Sequence, residues 1–188
     1  YHGQVHDNIN YFHCPDKSFV EKIFDVLSEV KTDYSALCGD KDYLVPNGIE
    51  QCVEFLEKNP DYSIAHGING CIVVQYENLN YRYRRIFSIR TNQCVVNNDC
   101  ALLRLKNHLQ NYAATFYSVH RTKQLSRNFL LTSDLLSKNK NPYFLLGEIF
   151  SSGLSIIYGK SKELDVLYQI RQIKPEISGD SKYTWVDE

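Results

Sequence analysis

Tyr34-Ser35-Ala36-Leu37-Cys38-Gly39-Asp40-Lys41-Asp42-Tyr43-Leu44-Val45-Pro46 is the stretch whose reading decides the fold of this chain. It reads as a short apolar strand that runs into an acidic turn, and Asn47-Gly48-Ile49-Glu50 then opens a helix. Asn47 is placed to cap that helix, with Glu50 three residues on as the acid of a capping box. Asp40 and Asp42 are thereby expected just past the end of a buried strand, which is where ligands bind in open α/β sheets. Carboxylates at i and i+2 in a turn can both face a hard cation, and Mg²⁺ or Mn²⁺ takes oxygen ligands. A plain solvated turn uses the same residue types.

Working outward, residues 9–14 alternate and end at Pro15, the pattern of a strand. Ser18 and Glu21 form a capping box ahead of Val20, Ile23, Phe24, Leu27 and Val30, which share one helical face. Past the quoted stretch, a helix is expected over 48–58, with Ile49, Cys52, Val53 and Leu56 inward and Asn59-Pro60 as its stop. Residues 62–66 read as a strand broken by Gly67 and Gly70, and 71–76 and 79–89 as hairpin arms turning at Glu77-Asn78. Tyr81, Tyr83 and Phe87 alternate with Arg82, Arg84 and Ser88, as in a strand with one solvated side. Asn98-Asp99 are placed to cap a helix that carries Leu102, Leu105, Leu109 and Tyr112. A strand over 115–122, a helix over 123–136, a polar loop over 137–141 and a helix over 142–158 complete the pattern. The whole reads as one domain over 1–178 with a loosely held polar tail over 179–188.

The chain has 188 residues, 43% apolar and 23% charged, the composition of a globular domain with its own core. A formal net charge of −1 gives no electrostatic case for nucleic acid or an anionic membrane. No apolar run approaches the ~20 residues of a membrane span, and no signal-peptide pattern opens the chain. The six cysteines form no C-x-x-C pair, so buried thiols in a reducing, cytoplasmic compartment explain them best. Methionine is absent and the chain opens in mid-pattern at Tyr1-His2-Gly3-Gln4, which reads as a fragment or a trimmed chain.

The run from Thr32-Asp33-Tyr34 through Cys38-Gly39-Asp40-Lys41-Asp42, Val45-Pro46 and Cys52-Val53-Glu54-Phe55-Leu56-Glu57 to Asn59-Pro60-Asp61-Tyr62 and Gly67 resembles the metal-binding region of bacterial family 2-like glycosyltransferases with the GT-A fold. Weaker likeness continues through Phe116-Tyr117-Ser118-Val119-His120-Arg121-Thr122 to Tyr168-Gln169-Ile170-Arg171-Gln172. The resemblance implies an α/β fold, a GT-A-like mixed sheet flanked by helices. It implies metal-dependent transfer of a sugar from a nucleotide-sugar donor to a saccharide or other hydroxyl acceptor. Asp42 would ligate a divalent cation, Mn²⁺ or Mg²⁺, and Asp40 would support that cation or the donor's ribose. The family's first half, which grips the nucleotide base, has no counterpart here, so this chain alone is expected to bind nucleotide-sugar poorly. Lys41 stands where the family usually has an acid. It is placed to weaken the metal site or to touch a phosphate, and it leaves room for a non-catalytic, carbohydrate-binding relative.

Glu148 is the second site feature. It is the only charge in the 142–158 stretch, inside Phe144-Leu145-Leu146-Gly147-Glu148-Ile149-Phe150. Apolar surroundings raise a carboxylate's pKa unless a partner holds it, which suits a general base near neutral pH, and a core Glu bonded to an arginine is the structural alternative. By resemblance Gly147-Glu148 match the element whose acid activates the acceptor hydroxyl, with Ile149 where a second acid often stands. The resemblance further implies a base on the face opposite the leaving group, and so a single in-line displacement with inversion. His66 and Gly67 at one strand end, and His120 and Arg121 at another, are further candidate substrate contacts. Lys160, Arg171 and Lys174 are candidates for a diphosphate, since basic side chains neutralise phosphate oxygens. A rival reading is a haloacid-dehalogenase-like phosphatase using Asp40 and Asp42, but the Gly-Thr that normally follows that motif is missing.

Overall fold

The computed structural model describes residues 9–77, 80–89, 95–139 and 144–173. The architecture is α/β. Eleven elements follow in order among these residues: α1 (Phe19–Glu29), β1 (Tyr34–Ala36), β2 (Asp42–Leu44), α2 (Pro46–Lys58), β3 (Tyr62–Glu77), β4 (Asn80–Ile89), α3 (Ala101–Gln110), β5 (Val119–Arg121), α4 (Thr122–Asn139), α5 (Phe144–Tyr158) and β6 (Lys160–Ile173). The strands form one mixed sheet in the order β1-β5-β3-β6-β2, with β4 added on β3. Only β3 and β6 run parallel; the other pairs are antiparallel.

Helices cover both faces of the sheet. Ile64 and Ala65 are neighbours on β3 and so point to opposite sides. Ala65 joins Cys52 and Leu56 of α2, with Val119 and Tyr168, in one core cluster. Ile64 packs instead with Ile156 of α5 and with Val96. A third cluster joins Val20 and Leu27 of α1 to Phe116 and to Leu125 and Phe129 of α4. Among the described residues no helix is long and apolar enough to cross a membrane.

The capping box of α1 is present: the Glu21 amide donates to Ser18 Oγ at 3.4 Å, and the Ser18 amide to Glu21 Oε2 at 2.8 Å. The quoted stretch is built differently from its expected form. The single strand ending in a turn is two strands of three residues each, at opposite ends of the strand order. Short strands take their pairing from partners distant in sequence, and here those partners are β5 and β6. The start of α2 also differs. Val45 is its N-cap, with no side-chain bond, and Pro46 opens the first turn. Proline suits that position because the missing N–H has no intrahelical partner anyway. Residues 9–14 form no strand.

Gly67 and Gly70 do not end a strand: β3 runs sixteen residues through both. A Cβ on Gly67 would lie 2.3 Å from the Val166 carbonyl oxygen and 2.8 Å from Tyr168 Cβ. The β3–β6 register shifts on both sides of Ile68, so this glycine marks a bulge where two backbones close in. The expected inner face of α3 is rotated: Leu105 stays half-buried and faces Gly153 of α5, but the outer leucines turn away. Leu102 is 73% exposed and Leu109 54%, whereas Arg104 and His108 are buried. Arg104 holds that orientation by donating to the carbonyls of Ile156, Ile157, Asn98 and Asp99 at 2.8–2.9 Å. The expected 137–141 loop does not begin at Ser137, since α4 runs to Asn139. Asn78 of the expected hairpin turn, the aromatic and basic side chains of β4, residues 140–143, Lys174 and the expected tail over 179–188 lie outside what the structure describes.

Helix α2 meets β6 at Gly48, where a Cβ would stand 2.4 Å from the Leu167 oxygen and 2.9 Å from Tyr168 Cα. Backbone cannot yield as a side chain can. Gly48→Ala is therefore expected to destabilise the fold by about 1–3 kcal/mol despite alanine's better helix propensity. Gly153→Ala in α5 would meet only Leu105 Cδ1 at 3.5 Å, an ordinary contact. It should gain about 0.5–1 kcal/mol from helix propensity. Urea midpoints of the two variants should move in opposite directions.

Candidate functional site

A cleft of about 650 Å³ opens beside the β2–β6 edge. Gly39, Asp40, Lys41 and Asp42 line it, as do Gln169, Arg171 and Gln172 of β6. His66 and Asn69 of β3 lie along it, with Tyr117 and Ser118 just ahead of β5. Tyr112, Ala113, Ala114, Glu148 and Tyr168 complete the lining. Asp42 and Glu148, far apart in sequence, thus face one cavity. Its volume is in the range of small-molecule sites, about 300–1,000 Å³.

Strand register builds the acidic wall. The Asp42 amide donates to the Gly39 carbonyl at 3.1 Å, closing a turn over Asp40 and Lys41. The Gln172 amide donates to the Lys41 carbonyl at 3.0 Å and pins that turn to β6. Asp42 lies directly opposite Arg171 across the antiparallel pair. Its side chain is 6% exposed. Oδ2 accepts from Gln169 Nε2 at 2.8 Å and from Arg171 Nη2 at 3.3 Å, and Oδ1 from Arg171 Nε at 3.2 Å. The guanidinium lies 5.2 Å from the centroid of the Tyr117 ring. Burial works against the Arg171 charge, but the hydrogen bond and charge of Asp42 outweigh it and raise its pKa. Burial likewise raises that of the Tyr117 phenol.

This donor set does not fit a divalent cation. Both Asp42 oxygens already accept N–H donors, and a dication on them would stand about 5 Å from a guanidinium. The repulsion is roughly 7 kcal/mol at an effective dielectric of about 20, and less where water reaches the pair. Asp40 lines the cleft from an exposed turn position. Among the described residues no group of three or more His, Cys, Asp or Glu side chains is assembled to hold a metal.

Glu148, the only charged residue of its helix, is half-buried. Tyr112 explains its place: the phenol donates to Glu148 Oε1 at 2.8 Å. Among the described residues no arginine is bonded to it. His66 lines the cleft with Nδ1 3.4 Å from Ser118 Oγ and Nε2 3.6 Å from Glu163 Oε2.

Three expected substrate contacts lie away from the cleft. Gly67 is buried against β6, as described above. His120 is 2% exposed, and its Nε2 lies 3.0 Å from the Thr115 carbonyl. Arg121 closes the C-terminal end of α2, donating to the Leu56, Tyr62 and Asn59 carbonyls at 2.7, 3.1 and 3.4 Å and lying over the Tyr34 ring. Those carbonyls lie in the last turn of α2 and the link to β3, where backbone oxygens have run out of i+4 amide partners, so a guanidinium there is structural. Lys160 is likewise held by Asp61 and Asp99 at 2.9 and 2.8 Å. Conversely, Asn69, Tyr112, Tyr117, Ser118 and Gln169 line the cleft without having been singled out. Only Gln169 carried a readable signal, being two residues from Arg171 on the same face of a strand.

Burial pushes the His120 pKa down to about 4 and lowers that of His108 as well. Both imidazoles are neutral in the folded state and protonate more readily once unfolded. Stability is therefore full above the unfolded value of about 6.5 and falls as pH drops from there toward 4, by about 3 kcal/mol for His120. Urea denaturation across this range should show that slope, and His120→Gln should flatten it.

No known family model matches this chain, and no curated protein matches it in sequence.

Proposed function

We propose that this chain carries the acceptor side and part of the donor side of a glycosyltransferase site, moving a sugar from a nucleotide-sugar to an acceptor hydroxyl. The observation that carries the proposal is the shared cleft, which Glu148 lines together with Asp40, Lys41, Asp42 and Arg171. In the reaction, Glu148 accepts the proton of the acceptor hydroxyl. The acceptor oxygen forms its bond to the anomeric carbon while the bond from that carbon to the phosphate oxygen breaks. Nucleoside diphosphate leaves, and attack opposite the leaving group inverts the sugar. Tyr112 positions Glu148 through its hydrogen bond. The divalent cation implied by the likeness would have Asp42 as its ligand, and since the donor set there does not fit it, no step is routed through one.

The expectation of buried thiols holds for Cys52 and Cys71 but not for Cys38 and Cys100, which are exposed, or for Cys14, which is partly so; a reducing, cytoplasmic setting draws support only from the first two. A second reading, a domain that binds a saccharide ligand without turnover, draws support from Lys41 in the middle of the acidic triplet. The phosphatase outline draws none, because β1 and β2 are short antiparallel strands at the sheet edges rather than a central strand carrying a nucleophile.

Glu148→Gln decides the matter. The variant should fold with an unchanged melting temperature and lose about 10²–10⁴-fold in transfer rate, the usual worth of a general base. The assay is release of nucleoside diphosphate from a panel of nucleotide-sugars with saccharide acceptors. Undiminished turnover would remove Glu148 from the chemistry, and absence of turnover by the parent protein would leave the binding-only reading.

A further inference from the structure

We infer that the positive charge for a diphosphate-bearing ligand in this cleft comes from Arg171, with Lys41 beside it, and that the ligand binds without a divalent cation. The ligand's identity rests on the sugar-transfer reading; the cation-free part rests on geometry alone. Asp42 is then a positioning residue. Its buried carboxylate receives the Nε and Nη2 edge of Arg171 and fixes the guanidinium plane. Gln169 holds the same carboxylate from the side, and Tyr117 backs the guanidinium. Two of the five guanidinium N–H donors face Asp42, and Arg171 makes no other hydrogen bond among the described residues. The other three remain for a ligand at a cleft that Arg171 lines. A planar fork of this kind matches phosphate oxygens two at a time.

Lys41 supplies a second cation. Its backbone is fixed by the Gln172 amide, while its exposed side chain makes no ion pair among the described residues. An ammonium there is a mobile point charge beside a fixed fork, a pairing suited to two linked phosphates. The Asp42 carboxylate, the residue expected to take the metal, is the one least accessible to it. A cation seated there would stand against the Arg171 guanidinium, which register places directly opposite.

Inorganic pyrophosphate is the probe, titrated calorimetrically into the full chain at low salt, once with EDTA and once with Mg²⁺. Mn²⁺ alone is followed by electron paramagnetic resonance. The affinity for pyrophosphate should agree within about twofold between the two conditions, and Mn²⁺ alone should show no saturable site. With EDTA present, Arg171→Gln should weaken binding about tenfold or more, and Arg171→Lys should recover only part of it. Asp42→Asn should also weaken binding with EDTA present, because the fork loses its anchor. Removal of a merely repulsive charge would tighten it. Circular dichroism melts confirm that each variant is folded. Binding that requires Mg²⁺, a Mn²⁺ site abolished by Asp42→Asn, or no pyrophosphate binding in either condition would overturn the inference. Sugar transfer that stops on chelation would also overturn it while leaving the transfer reading intact. Pyrophosphate binding with EDTA but no transfer from any donor would do the reverse.

Discussion

Strand β6 is held from three directions at once, and the site exists because of it. One edge runs parallel to β3, the other pairs with β2, and α2 lies across it at backbone contact through Gly48. Each contact limits where its residues can go. The β2 register sets Asp42 against Arg171, and the bulge at Gly67 sets the offset between β3 and β6. His66 and Asn69 on one strand, and Gln169 and Arg171 on the other, reach the same cavity only with those offsets. Backbone packing at this tolerance is rigid because neither partner has a side chain that can rotate away.

Charge is used in two distinct ways. Arg104 and Arg121 are spent on carbonyl groups at the C-terminal ends of α5 and α2, where helices present oxygens without partners of their own. Lys160 is spent on two aspartates. Arg171 keeps part of its donor capacity, and Lys41 is held by its backbone alone. Basic residues that look alike in a sequence thus differ in what remains available to a ligand.

Much of the fold was legible, for reasons that are local. The capping box at Ser18 and Glu21 and the helical spacing of Val20 and Leu27, or of Cys52 and Leu56, report interactions within one element. Gly67 misled because a glycine at a bulge and a glycine at a strand end share one letter. Leu102 and Leu109 of α3 misled because Arg104, by binding four carbonyls outside its own helix, takes a place on the inner face. At the site, the acidic turn and Glu148 stood out as charges in apolar surroundings. The Arg171 partnership of Asp42 did not, since it depends on the pairing of a three-residue strand with β6. His120 and Arg121 drew attention as polar residues at a strand end, and burial and a helix end account for both.

The ribosome makes β6 after every other element described here, yet β6 lies between β3 and β2. Until it emerges, β3 lacks its parallel neighbour, β2 has nothing to pair with, and α2 has no strand beneath it. The sheet therefore closes late, around a β3–β6 pairing that spans β4, α3, β5, α4 and α5 in the chain, and non-local closure of this kind is slow. The nascent protein spends that interval with open strand edges, which are the surfaces on which other chains and folding assistants act.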